Sequence, residues 1–194
     1  MKKITIVLCF YSIISFTVSS KEASNSQGVE DYFEYLSHDS TDFEPMGNVC
    51  ERVALKEVEA LYPTALYDIK NGMEYNERNA TIDELDLVMI NRNTGKAEAV
   101  AEVKCWRSLQ GGLKKAKEQR MRFLNYLNRN IVLKDMEEKT YSKDIFSNIQ
   151  KFFSISQRGG VSEGFDFELS LDFKELMDLR KKLLDCRVQG HCPK

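Results

Sequence analysis

Histidine is nearly missing from this chain. The only two, His38 and His191, lie toward the ends in weakly patterned sequence, so hydrolytic chemistry built on an imidazole base has no candidate in the body of the fold. The cysteines lack the paired spacing of a zinc site. No glycine-rich loop follows a strand pattern to cradle a phosphate, and no Gly-x-Ser-x-Gly elbow presents a serine nucleophile. An excess of either charge is missing too, with 28 Lys and Arg against 30 Asp and Glu. That balance conceals an asymmetry. Residues 30–86 are strongly acidic, whereas Lys104, Arg107, Lys114, Lys115, Lys117, Arg120, Arg122 and Arg129 face only Glu118 over the next stretch. A local basic stripe says more about partners than the overall charge does.

Internal repeats and a second-domain boundary are also absent, and 194 residues with 42% hydrophobic content suit one domain with its own core. The single long apolar run, residues 4–18, is short for a membrane span. With Met1-Lys2-Lys3 before it and Val18-Ser19-Ser20 after it, it reads as a secretory signal over residues 1–20, cleaved near Ser20-Lys21. The expected product is secreted or periplasmic and does not engage a membrane once the signal is removed; the alternative is that the segment stays uncleaved as an anchor. Its cysteines are Cys50, Cys105, Cys186 and Cys192, an even set that favours disulfides in an oxidising compartment. The simplest pairing is Cys186 with Cys192 and Cys50 with Cys105; the alternative for Cys105 is a buried free thiol.

What is present centres on residues 81–106. Two apolar runs flank Asn93-Thr94-Gly95, a pattern that predicts an antiparallel hairpin with Gly in the left-handed position. If Arg92 pairs with Lys96, partner numbers keep a constant sum and Asp86 falls opposite Glu102. Side chains so placed have Cβ atoms about 4.5 to 5.5 Å apart, and like charges there repel. Lys104, two residues beyond Glu102, emerges on the same face. Two carboxylates and an ammonium thus converge.

The surrounding elements follow from local pattern. Residues 21–45 read as a loosely ordered acidic segment with an aromatic patch at Tyr32, Phe33 and Tyr35, and the single globular domain as residues 46–194. Asn48 and Glu51 have capping-box spacing, and Val49, Val53, Glu57 and Ala60 recur at helical intervals before Pro63. Glu57 then lies on the core stripe and needs a cation, a metal or donors. A first strand covers residues 65–75 with a turn or bulge at Asn71-Gly72. Ala97, Ala99, Ala101, Val103 and Cys105 form the small-residue face of the hairpin. Ser108 caps a helix running to about Asn130, with Lys115, Gln119, Arg122 and Tyr126 along one face. Residues 145–155 fit strand or helix, residues 165–171 alternate as a strand, and Asp172 with Glu175 caps a last helix that ends before Cys186.

Oxygen ligands suit a hard cation such as Mg²⁺, commonly held by one or two carboxylates together with phosphate oxygens. Asp86, Glu102 and the carbonyl of Val103 make such a set, with Lys104 placed to orient a water or offset charge on a phosphate. Leu85-Asp86, Glu102-Val103-Lys104 and the helix after them resemble the PD-(D/E)xK nuclease superfamily, with Leu85 standing where the proline is usual. The resemblance covers about residues 48–126. It implies an α/β restriction-endonuclease-like αβββαβ core, a small mixed sheet with flanking helices, and metal-dependent phosphodiester hydrolysis of DNA, or less often RNA. It also implies Mg²⁺ or Mn²⁺ as cofactor, Asp86 and Glu102 as ligands, Lys104 as catalytic lysine, and Glu57 and Gln119 as the acid of the first helix and a helix glutamine near the site. Independently of the resemblance, Arg107, Lys114, Lys115, Arg122 and Tyr126, as a basic group beside a metal-type cluster, are expected to contact the nucleic acid; the alternative for each is a solvated amphipathic surface.

A different reading makes the chain an exported binding or inhibitor protein whose Asp86, Glu102 and Lys104 form only a structural ion-pair cluster. The two diverge in location. A structural cluster is exposed or fully self-paired, whereas a metal site floors a concave, basic-rimmed cleft.

Overall fold

The computed structural model describes residues 20–78 and 80–193; the apolar run of residues 4–18 and the other signal residues up to 19 lie outside them. Three strands run as a meander through the centre: β1 (Tyr67–Glu77), β2 (Ala80–Asn91) and β3 (Lys96–Val103). Outside β1 lie the short strands β4 (Val132–Lys134) and β5 (Thr140–Ser142), and outside β3 lie β6 (Lys151–Ser156) and β7 (Phe167–Glu168). The seven strands form one mixed sheet in the order β5-β4-β1-β2-β3-β6-β7, with β3, β6 and β7 parallel. Parallel neighbours need a long crossover. The chain between β3 and β6 supplies it with α3 (Leu109–Leu127) and the β4–β5 hairpin.

Helices α1 (Ser20–Leu36), α2 (Met46–Leu61) and α4 (Phe173–Val188) complete the α/β architecture. One core cluster joins Val49, Val53, Leu176 and Leu179 to Leu87, Met89, Ala99 and Ala101. A second joins Phe123 of α3 to Val88, Ile90, Val100 and Tyr75. Tyr67 and Ile69 pack in the first cluster but Met73 and Tyr75 in the second, so β1 changes core at Gly72, whose φ of 66° only glycine adopts freely. Among the described residues no helix is long and apolar enough to cross a membrane.

Several local expectations change. Residues 21–45 are not loosely ordered throughout, because most of α1 falls there and Leu36 and Phe43 are fully buried. Helix α2 starts at Met46 behind Pro45 with no side-chain cap, and Asn48 instead donates to the carbonyl of Asp42. Residues 145–155 divide between a 3₁₀ turn ending at Phe146 and β6. Only Phe167–Glu168 of residues 165–171 pair as strand. Helix α4 has the Asp172–Glu175 capping box but continues past Cys186 to Val188. Both disulfides, Cys50–Cys105 and Cys186–Cys192, are formed, as an oxidising environment allows.

The hairpin loop holds one residue more than the sequence suggests. Asn91, not Arg92, pairs with Lys96, and Gly95 takes a left-handed φ of 65°. A bulge between Met89 and Ile90 then restores the register, giving Met89 opposite Ala99 and Leu87 opposite Ala101. The extra residue is Glu98, and Ala97 consequently packs with the second core instead of with Ala99 and Ala101. An error at the turn is thus cancelled before the chain reaches Asp86.

Candidate metal centre

Leu87 and Ala101 are the last ladder pair between β2 and β3. One step further the Asp86 carboxylate reaches across to β3, where its Oδ2 accepts from the backbone N–H of Val103 at 2.6 Å and from the Lys104 ammonium at 2.6 Å. Glu102 Oε2 stands 3.5 Å from the same ammonium. Asp86, Glu102 and Lys104 are therefore brought together, with the two acids nearly inaccessible at 2% and 3% exposure. The Val103 carbonyl accepts from Lys104 Nζ at 3.1 Å.

Glu102 decides what this cluster is. Both of its carboxylate oxygens are buried without a hydrogen-bond partner, and the Lys104 ammonium, 3.5 Å away, is an ion contact at the edge of hydrogen-bond distance. An ionised carboxylate so placed is costly. Burial, then the neighbouring Asp86 charge, push its pKa up to about 9. Burial raises Asp86 as well, against the opposing pull of Lys104 and the Val103 N–H. Burial would by itself lower the Lys104 ammonium, but Asp86, Glu102 and Glu51 together raise it.

Two acids the sequence reading passed over complete the group. Single oxygens of Glu51, Glu84 and Asp86 lie within 4.8 Å of one another, close enough to share an ion. Glu51 is pushed up to about 7, first by burial and then by Asp86 and Glu84. Glu84 rises from burial and from Asp86. Four carboxylates thus lie about one ammonium, and while exposed Glu84 can be met by water, the buried share of the negative charge favours protons or a cation. All-oxygen donors of this kind suit Mg²⁺, Mn²⁺ or Ca²⁺. Glu84 was legible in principle, since it precedes Asp86 by one strand period. Glu51 was hidden because it fitted a capping box that the helix does not form.

Glu57, the expected acid of the first helix, finds donors away from Asp86 and Glu102. Its Oε1 accepts from Tyr32 Oη at 2.6 Å and from the backbone and hydroxyl of Ser170 at 3.0 and 2.7 Å, so its donors tie α1 and α2 to the chain before α4. Gln119 is buried on α3, with Nε2 3.4 Å from Asp83 Oδ1 and its own Oε1 unpartnered. Arg122 pairs with the other oxygen of Asp83, and Tyr126 packs 5.8 Å from Tyr75 beneath the Arg129 guanidinium. Those two are occupied within the fold. Lys114, Lys115 and Arg107 are better placed for an outside anion: Arg107 and Lys114 are exposed and Lys115 is half-buried, although Lys114 is 4.0 Å from Glu118.

A cleft of about 300 Å³ opens beside the acids, with Glu51, Asn71, Glu74 and Glu84 on its wall and Arg52 and Lys134 as its cations. It is concave, as a metal site requires, but its rim is largely acidic. The cations of α3 border a separate shallow groove with Gln110, Lys114, Lys117 and Arg122. No family model matches the chain, and comparison with curated proteins and with solved structures finds no match.

Proposed function

We propose that the chain is an exported, metal-dependent nuclease of the PD-(D/E)xK type that hydrolyses phosphodiester bonds, with DNA as the first substrate to test and RNA the second. The observation that carries the reading is Glu102, buried beside Asp86 and Lys104 with neither carboxylate oxygen accepting a hydrogen bond. The element order supports it: α2, the β1–β3 meander and α3, then β6 parallel to β3 once the intervening β4–β5 hairpin and 3₁₀ turn are set aside, are in keeping with the αβββαβ succession of a restriction-endonuclease-like core. Two disulfides fit export.

Asp86 and Glu102 would hold the ion, with Glu51 and Glu84 on the cleft side. When bound, Mg²⁺ supplies positive charge at the phosphate and acidifies water. Lys104 is held by Asp86 at 2.6 Å, so its ammonium can orient the attacking water and oppose charge growing on the phosphate. The acid-lined cleft disfavours a polyanion, which leaves Arg107, Lys114 and Lys115 as the approach for the nucleic-acid backbone. The experiment is degradation of plasmid and RNA with Mg²⁺ or Mn²⁺, with and without chelator, in wild type and Lys104→Ala. Activity that needs the cation and the lysine supports the reading.

The acidic rim favours a second reading, an exported cation-binding protein without catalysis. Cation binding with no cleavage of any nucleic acid would select it.

A further inference from the structure

Cys50 immediately precedes Glu51 on α2, and Cys105 immediately follows Lys104 beyond the end of β3. The disulfide between them, with Cα atoms 6.0 Å apart and a sequence separation of 55, therefore joins the helix that brings Glu51 to the strand that brings Glu102 and leads into Lys104. Glu51 feels the like charges of Asp86 and Glu84 and the opposite charge of Lys104. Seating the first turns of α2 over the sheet therefore brings Glu51 up against two like charges, with Lys104 and an Asn71 hydrogen bond as its favourable contacts. The covalent tie sits at the residue next to each partner. Cys186–Cys192 differs: it spans 6 residues at the C-terminal end of α4, and neither cysteine adjoins an acid of the cluster.

We infer that the Cys50–Cys105 disulfide is the positioning element of the cation site, so that the site is assembled when this bond is formed and dismantled when a dithiol reduces it. The inference rests on reading the acid cluster as a cation site. In the exchange, one thiolate of the dithiol attacks a cystine sulfur, the other cysteine leaves as thiolate, and the second thiol resolves the mixed disulfide. The dithiol is oxidised to its disulfide, and the two cysteines take up two electrons and two protons. A chain still in a reducing compartment would then bind its cation weakly and stay inactive until its cysteines oxidise.

The test compares wild type, Cys50→Ala/Cys105→Ala and Cys186→Ala/Cys192→Ala. Mn²⁺ affinity is measured by titration calorimetry at a temperature where circular dichroism shows wild type folded, and hydrogen exchange is followed at the Val103 amide, which donates to Asp86. Loss of an outer positioning element typically costs about 10- to 100-fold in metal affinity. That loss, with faster Val103 exchange, is expected for the first pair, and wild-type behaviour for the second. Wild-type affinity in a folded Cys50→Ala/Cys105→Ala protein overturns the inference and leaves the cation site standing. A wild type that binds no Mn²⁺ removes the site and the inference together. If the first pair is unfolded at the titration temperature, the bond holds the fold and not the site, and the inference is likewise overturned.

Discussion

Asp86 on β2 accepts the backbone N–H of Val103 on β3 at 2.6 Å, one step beyond the last ladder pair of those two strands. A side chain thus completes the hydrogen bonding of the neighbouring backbone and holds the Lys104 ammonium with the same oxygen. Asp86→Ala leaves a buried N–H and a nearly buried ammonium without that acceptor, and is expected to lower stability by about 2–4 kcal/mol. Asp86→Asn, whose amide oxygen can still accept from Val103, should cost less while abolishing cation binding. Denaturant unfolding and Mn²⁺ titration of the two variants separate these effects.

Lys104→Ala should move affinity and rate in opposite directions. The ammonium neutralises Asp86 and Glu102, so it competes with a divalent cation for the same charge. Its removal is expected to tighten Mn²⁺ binding while cleavage falls by about 10²–10⁴-fold, the range for losing a positioned proton-handling or charge-stabilising group. A parallel loss of affinity and rate would show Lys104 to be structural.

The acids predict a pH-dependent stability. Glu102 is pushed up to about 9 and Glu51 to about 7, both above the ordinary carboxylate value near 4.3. A raised pKa means the folded state keeps protons that the unfolded chain releases. The stability they contribute is fully present below about pH 4 and is lost as pH rises through 7 and on to 9. Cation-free protein should therefore melt at progressively lower temperature from pH 6 to pH 9. Saturating Mg²⁺ should flatten that decline, and binding near pH 7 should release protons. Melting curves with and without Mg²⁺, and calorimetry in two buffers of different ionisation enthalpy, read these directly.

Glu51 and Glu57 stand six positions apart on one helix and should behave as opposites. Glu51→Gln is expected to weaken Mn²⁺ binding about tenfold or more without loss of stability, since it relieves repulsion from Asp86 and Glu84. Glu57→Gln should leave Mn²⁺ affinity unchanged and cost about 1–3 kcal/mol, as the acceptor of Tyr32 and Ser170 weakens. The reverse pattern would place the helix acid of the site at Glu57.

Period-two alternation, a turn signal and a charge coincidence were enough to place Asp86, Glu102 and Lys104 together from the residues alone. Two features of the hairpin could not be read that way. The four-residue turn and the bulge at Glu98 are equal and opposite register changes, and only backbone hydrogen bonding distinguishes their sum from no change. That Glu51 of α2 approaches Asp86 was not legible either, because helical periodicity sets a stripe but not its axial position against the sheet. Tyr32 and Ser170, from distant parts of the chain, satisfy Glu57 in a way no local pattern announces. Among the cations of α3, Arg122 pairs with Asp83 of β2, a contact between residues 39 positions apart that sequence spacing does not reveal.

Salt dependence tests that last distinction. If Arg107 and Lys115 touch nucleic-acid phosphates, each substitution to Ala should reduce the slope of log affinity against log salt by about 1. Arg122→Ala should instead lower thermal stability, because it strips Asp83 of its partner.

The most direct measurement is cleavage of plasmid DNA and of RNA by purified, oxidised protein in Mg²⁺ or Mn²⁺, with chelator and with Lys104→Ala as controls. The account predicts strand breaks that both controls suppress. Equal cleavage by Lys104→Ala and wild type, or no cleavage of either polymer in either metal, would contradict it.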